Sequence, residues 1–247
     1  MGLLEDSCIG WWKFNGNALA EIGLPGIWTG SELYQAVKFA NGIEVDDSGP
    51  AANFVVAPDN STFDPNDFAL EIYLKPDWPV TNGASGLAQQ GYFGWFKNSN
   101  NVIIMDTIAG STRFLIRING VFTIYTITTG YTWLANSVNY LLIAFKRTGI
   151  DGGATIMELR LNGVPLFSSV VAPLNQSLNN GDYYFGTFLT TGIAKGFDGG
   201  IDNFRFYGGV TGNLLTLIEG NKENEGFPVS GRPIANKYNF ERYRGAA

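Results

Sequence analysis

Apolar and polar residues alternate along much of the chain with the period of a β-strand. In residues 68–75, FALEIYLK, the side chains of Phe68, Leu70, Ile72 and Leu74 share one face, and Glu71 and Lys75 fall on the other. Pro76 ends the run, because it has no N–H to give a ladder. Residues 113–118, RFLIRI, repeat the pattern with Arg113 and Arg117 opposite Phe114, Ile116 and Ile118. Asn119-Gly120 follows, and VFTIYTI (121–127) begins at once. A second Asn-Gly pair, Asn162-Gly163, divides IMELRL (156–161) from VPLF. Asn-Gly between alternating runs is a strong hairpin signal, since both central positions need positive φ. Further strands are expected at 36–39, 43–46, 53–57, 102–108, 140–146, 183–188 and 200–207.

The helical pattern is scarce. NLLTLIEG (213–220) places Leu214, Leu217 and Ile218 on one stripe with Gly220 as a stop, which predicts one short helical turn. The fold class expected is therefore all-β, a two-sheet antiparallel jelly-roll sandwich. No composition break precedes residue 220, so a single domain over 1–220 is expected, with 221–247 as a tail or arm that docks on the domain or on a neighbouring subunit.

Composition narrows the chemistry. Aromatics make up 14% of the 247 residues, too many for a disordered chain, and Cys8 is the one cysteine, so no internal disulfide can form. The absence of histidine changes most. It removes Ser-His-Asp and Cys-His catalysis, and zinc sites built on histidine or on four cysteines. Carboxylate chemistry, calcium on oxygen ligands, and binding remain.

Net charge is −6 and no basic stripe runs along the chain, which argues against nucleic acid. The basic bias is terminal: Arg232, Lys237, Arg242 and Arg244 against Glu241. No window has the length and apolarity of a membrane span. MGLLEDSCIGWWKFNG lacks the pattern of a signal peptide. The expected location is a virion surface or extracellular assembly, and the cytoplasm if neither holds.

Five segments, in order, resemble the concanavalin A-like lectin/glucanase superfamily in its laminin-G-like, pentraxin-like branch. They are GWWKFNGNA (10–18), AVKFANGIEV (36–45), STFDPNDFALEIYLKP (61–76), YLLIAFKRT (140–148) running into MELRLNGVPL (157–166), and FDGGIDNFRFYG (197–208). The last is the most specific, being similar to the family's closing strand. The resemblance implies a jelly roll, a fold that hosts lectins, glycosidases, adhesion modules and virion proteins.

Glucanases of that superfamily carry Glu-x-Asp-x-(x)-Glu on one concave face, and this chain has no such triplet. Glu44 and Asp46 are the nearest approach, and Glu71 and Glu158 each stand alone in a strand. The expectation is that no residue is catalytic and that the chain is not an enzyme. Relatives also place calcium at the sheet rim, on an acid after the first polar turn and on the Asp of the closing strand. The resemblance puts those roles on Glu21 and Asp202, with a structural calcium as the possible cofactor. Asp202 has a second reading, as an acceptor of backbone N–H groups that pins its strand to a loop.

Sugar binding needs an aromatic platform and polar groups. The candidates are Trp95, within YFGWFKNSNN; Trp133 beside Tyr131; and Tyr183-Tyr184 after the Asn180-Gly181-Asp182 turn. Trp95 and Trp133 equally suit a sandwich core. The function expected is a non-enzymatic lectin-like surface module, placed by analogy in a phage particle as a decoration or adhesion component that contacts glycans. A carbohydrate-active enzyme of the same fold and an assembly protein without ligand are the alternatives. The partners expected are further copies of the chain, capsid proteins and cell-surface glycans.

Overall fold

A computed structural model describes residues 3–45, 53–59, 63–77, 80–81, 89–108, 111–127, 132–173, 181–187 and 197–227. Asp46 and most of the expected arm, 228–247, lie outside the described residues. The chain opens with α1 (Leu3–Ser7), β1 (Cys8–Trp12), β2 (Ala20–Ile22), β3 (Ile27–Thr29), β4 (Tyr34–Ala36), β5 (Asn41–Val45), β6 (Phe54–Pro58) and β7 (Asp67–Pro76). It continues with β8 (Val80–Thr81), β9 (Gln89–Asn98), β10 (Asn101–Ile108), β11 (Ser111–Ile118), β12 (Val121–Ile127), β13 (Thr132–Trp133) and β14 (Asn139–Lys146). It closes with β15 (Met157–Leu161), β16 (Val164–Ser169), β17 (Asp182–Phe185), β18 (Gly199–Gly208) and α2 (Gly212–Asn221).

Among the described residues the strands form two main antiparallel sheets. The nine-stranded sheet runs β16-β15-β14-β7-β18-β1-β2, with β5 also paired to β18 and β4 to β5. The seven-stranded sheet runs β12-β11-β10-β9-β17-β6-β3, and β13 and β8 form a separate pair. This is the all-β two-sheet sandwich that the alternation predicts. Both Asn-Gly turns take positive φ at each central residue: 47° and 84° at Asn119-Gly120, 52° and 84° at Asn162-Gly163.

The main core lies between the sheets, where Phe68, Leu70, Ile72 and Leu74 of β7 meet Phe93, Trp95, Phe114 and Phe185. A second core covers the other face of the nine-stranded sheet. There Leu214, Leu215 and Ile218 of α2 pack over Ala69, Tyr73, Tyr140, Leu142 and Tyr207. Helix α2 starts at Thr211, whose Oγ1 accepts the N–H of Leu214 at 3.1 Å. The helix is longer than the predicted turn, and its buried arc differs. Leu215 is buried whereas Leu217 is exposed, because positions 214, 215, 218 and 221 lie together on the side that meets the sheet.

Candidate functional site

The pleat of the seven-stranded sheet divides the sequence candidates. Along β17, Tyr183 and Phe185 point into the core, so Asp182 and Tyr184 point outward. Along β9, Phe93 and Trp95 point inward, leaving Gly94 and Phe96 on the outer side. Tyr184 pairs with Gly94 on one flank and Val56 on the other, while Asp182 pairs with Phe96 and Pro58. Three rings gather there: Phe54 and Tyr184 have centroids 6.2 Å apart, and Phe96 and Tyr184 6.3 Å apart in an edge-to-face arrangement. Gly94, without a side chain, leaves the centre of this cluster low.

The charge beside the rings is Asp182. Burial raises its carboxyl above the ordinary value, and the carboxylate of Asp59 raises it further. Burial likewise raises the Tyr184 hydroxyl, with Asp182 adding to it, so the phenol stays protonated and can donate. Asp59 itself is turned to Tyr183, whose hydroxyl donates to its Oδ1 at 3.3 Å. What this outer face offers is an aromatic, half-buried shelf with one acid at its side, an arrangement able to pack a ring and bond its hydroxyls.

The remaining sugar candidates divide as follows. Trp95 is fully buried and packs on Phe63 at 5.4 Å, and Tyr183 packs on Phe206 at 5.1 Å. Neither is a surface platform, because each occupies an inward position of its strand. The backbone of Trp133 pairs with Val80 in the small β13–β8 ladder, and its side chain lies outside the described residues. Tyr131 and Asn180 also lie outside them.

The calcium candidates are not brought together. Glu21 is exposed and ion-paired to Lys13 Nζ at 3.1 Å. Asp202 is buried, and its Oδ2 accepts the backbone N–H groups of Lys38 at 3.1 Å and Phe39 at 2.9 Å. Burial raises its carboxyl, and those two donors oppose the rise. Its Oδ1 has no partner among the described residues. No group of three or more acidic or cysteine side chains that could hold a metal ion occurs among the described residues. Glu21 and Asp202 belong to no such group, and Asp202 keeps one oxygen without a partner among the described residues.

Glu71, a lone acid by sequence, is the centre of a buried network. Its Oε1 accepts Arg205 Nη1 at 2.6 Å and the Tyr207 hydroxyl at 2.8 Å, and its Oε2 accepts the Tyr140 hydroxyl at 3.0 Å. Arg205 also donates to the Glu225 carbonyl and lies 4.5 Å over the Trp11 ring and 5.3 Å from that of Phe227. Glu71 and Arg205 are each about 1% exposed, so the pair is closed to any substrate and acts as a clamp. Register could have exposed it: Glu71 and Arg205 are direct cross-strand partners on β7 and β18.

No protein-family model and no curated protein sequence matches the chain. Solved structures do. Domain 4 of AbnA, a GH43 extracellular arabinanase from Geobacillus stearothermophilus solved in complex with arabinotriose, is 18% identical with a TM-score of 0.64. The match covers 85% of this chain and 97% of that one. A botulinum neurotoxin type C structure, described with cell entry dependent upon interaction with two ganglioside molecules, is 15% identical with a TM-score of 0.66. The binding domain of botulinum neurotoxin DC in complex with rat synaptotagmin II is 14% identical with a TM-score of 0.64. The matches cover 90% and 88% of this chain but only 53% and 52% of those toxin chains.

The likeness is one of fold. It relates the chain to the jelly-roll sandwiches found in glycoside-hydrolase and toxin receptor-binding domains. It also corrects one expectation. The missing carboxylate triplet suggested that the chain is not an enzyme, yet a whole domain of a glycoside hydrolase solved with a sugar shares this fold. The triplet belongs to one branch of glucanases, and its absence does not exclude enzymatic work. Among the described residues, no helix is long and apolar enough to cross a membrane.

Proposed function

We propose that this chain is a carbohydrate-active domain that holds a glycan on the outer face of its seven-stranded sheet. The observation that carries the reading is the cluster of Phe54, Phe96 and Tyr184 around Gly94, with the raised carboxyl of Asp182 beside it. Ring faces pack the C–H face of a sugar, while Asp182 and the Tyr184 hydroxyl bond its hydroxyl groups. The arabinanase likeness supports a glycan-degrading setting over the virion setting. The toxin likenesses support a role in contact with cell-surface partners in the same general way.

The test is titration of arabino-oligosaccharides followed by nitrogen–proton NMR, with release of reducing ends recorded on the same samples. Shifts confined to β6, β9 and β17, lost in Tyr184→Ala, are expected. Reducing ends that appear with wild type but not with Asp182→Asn would place bond cleavage at this face. Shifts elsewhere, unaffected by Tyr184→Ala, would overturn the assignment of the face.

A further inference from the structure

The outer face does not stop at Tyr184. Residues paired directly across the sheet continue the shelf from β17 through β9, β10 and β11 to β12. One row runs Asp182, Phe96, Val102, Arg117 and Phe122. Between its aromatic ends the row is apolar up to Arg117. Val102 and, in the next row, Leu115 are both buried, and Ile104 beside them is half-buried. At the far end the surface rises again. Phe122 is 52% exposed and Ile124 47% exposed, and the Arg117 guanidinium lies 4.5 Å over the Phe122 ring. Phe96 and Phe122 stand three strand spacings apart, about 14 Å.

The two charges in the row distinguish the occupant. Asp182 at one end and Arg117 near the other have no ion-pair partner among the described residues, whereas Arg113, on the same face of β11 as Arg117, is held by Asp106. Arg117 uses one donor on the Ser99 carbonyl at 2.6 Å. An apolar protein surface laid on this row would bury an unpaired acid and an unpaired cation, which is strongly unfavourable. A neutral polyhydroxyl chain would not. Its ring faces match the aromatic ends, its hydroxyl groups bond both charges, and opposite charges at opposite ends favour no net charge on the ligand.

We infer that the face binds an extended, neutral oligosaccharide running across the strands from Tyr184 and Phe96 to Phe122, with a second subsite on Phe122 and Arg117. This inference rests on the proposed function and adds the length, direction and far end of the ligand. A single sugar ring reaches only one end of the row, so affinity should grow with chain length until both ends are occupied.

The experiment is calorimetric titration of the full chain with arabino- and cello-oligosaccharide ladders, from monosaccharide to the longest soluble oligomer. Tyr184→Ala, Phe122→Ala and Arg117→Met are compared with wild type. All three side chains lie on the outer face, and matching melting temperatures and near-ultraviolet dichroism confirm that each variant is folded. The expected result is an affinity that rises with length. Phe122→Ala should leave the shortest binding oligomers unchanged and weaken the longest about tenfold, the scale of one lost aromatic contact. Tyr184→Ala should weaken every length. Affinity independent of length, lost in Tyr184→Ala and untouched by Phe122→Ala and Arg117→Met, would overturn the extended site while leaving the sugar reading intact. No binding at any length would overturn both.

Discussion

The Glu71–Arg205 clamp gives a stability prediction of definite size. Arg205→Met removes the guanidinium and leaves the buried Glu71 carboxylate held, among the described residues, by the hydroxyls of Tyr140 and Tyr207. Breaking one side of a buried pair in this way costs about 3–5 kcal/mol. Glu71→Gln strands the guanidinium instead and should cost a similar amount. The double variant is the informative one. It has no buried charge, and the amide carbonyl that replaces the carboxylate can still accept from a tyrosine, so its loss should fall well short of the summed losses. The shortfall expected for partners in direct contact is about 0.5–3 kcal/mol. Equilibrium urea unfolding with an unchanged m-value reads each corner of the cycle. Single variants that each cost less than about 1 kcal/mol, the range of an exposed pair, would refute the clamp. So would additivity in the double variant.

Three further outcomes follow from other parts of the molecule. Burial pushes the Cys8 thiol up to about 12, so it should resist alkylation at neutral pH in the native protein and react only on unfolding; fast native modification would contradict that burial. The Asp202 carboxyl is raised above its ordinary 3.8, so its contribution to stability is complete below that value and is lost as pH rises through the folded value. Asp202→Asn keeps an acceptor for Lys38 and Phe39 and should flatten this decline in urea midpoints across the acid range; an unchanged slope would count against it. Trp95→Ala, a deletion from the core between the sheets, should cost about 3–5 kcal/mol, whereas Tyr184→Ala on the outer face should cost far less in the same unfolding assay.

Where one face of a strand is apolar and the other polar, the sequence is easily read. β11 and β15, each leading into an Asn-Gly turn, show it most plainly, whereas β14 is apolar and buried on both faces. β9 was not legible, because Gly91 and Gly94 interrupt its period and Tyr92 and Phe93 are both buried. Trp95 therefore reads from sequence either as a surface platform or as a core residue, and the structure places it in the core. β7 reads correctly as a strand, but its second face is covered as well. Glu71 is polar by type and buried by position, and only the pairing with Arg205, far away in the chain, reconciles the two. Phe54, Phe96 and Phe122 carry no local signal that sets them apart from core aromatics. Their common face emerges only from the order β12-β11-β10-β9-β17-β6, which no spacing along the chain encodes.

The two sheets divide labour in a way that bears on how such a molecule can change. The nine-stranded sheet is packed on both sides, by the opposing sheet and by α2, so nearly every substitution along β7 or β18 disturbs a neighbour. On the seven-stranded sheet, outward positions such as Phe96, Phe122, Ile124 and Tyr184 are half-buried or exposed. Variation is tolerated at those positions more readily, while the layer behind them keeps the chain folded. A library confined to those positions would probe the proposed glycan face on a scaffold whose stability is set elsewhere.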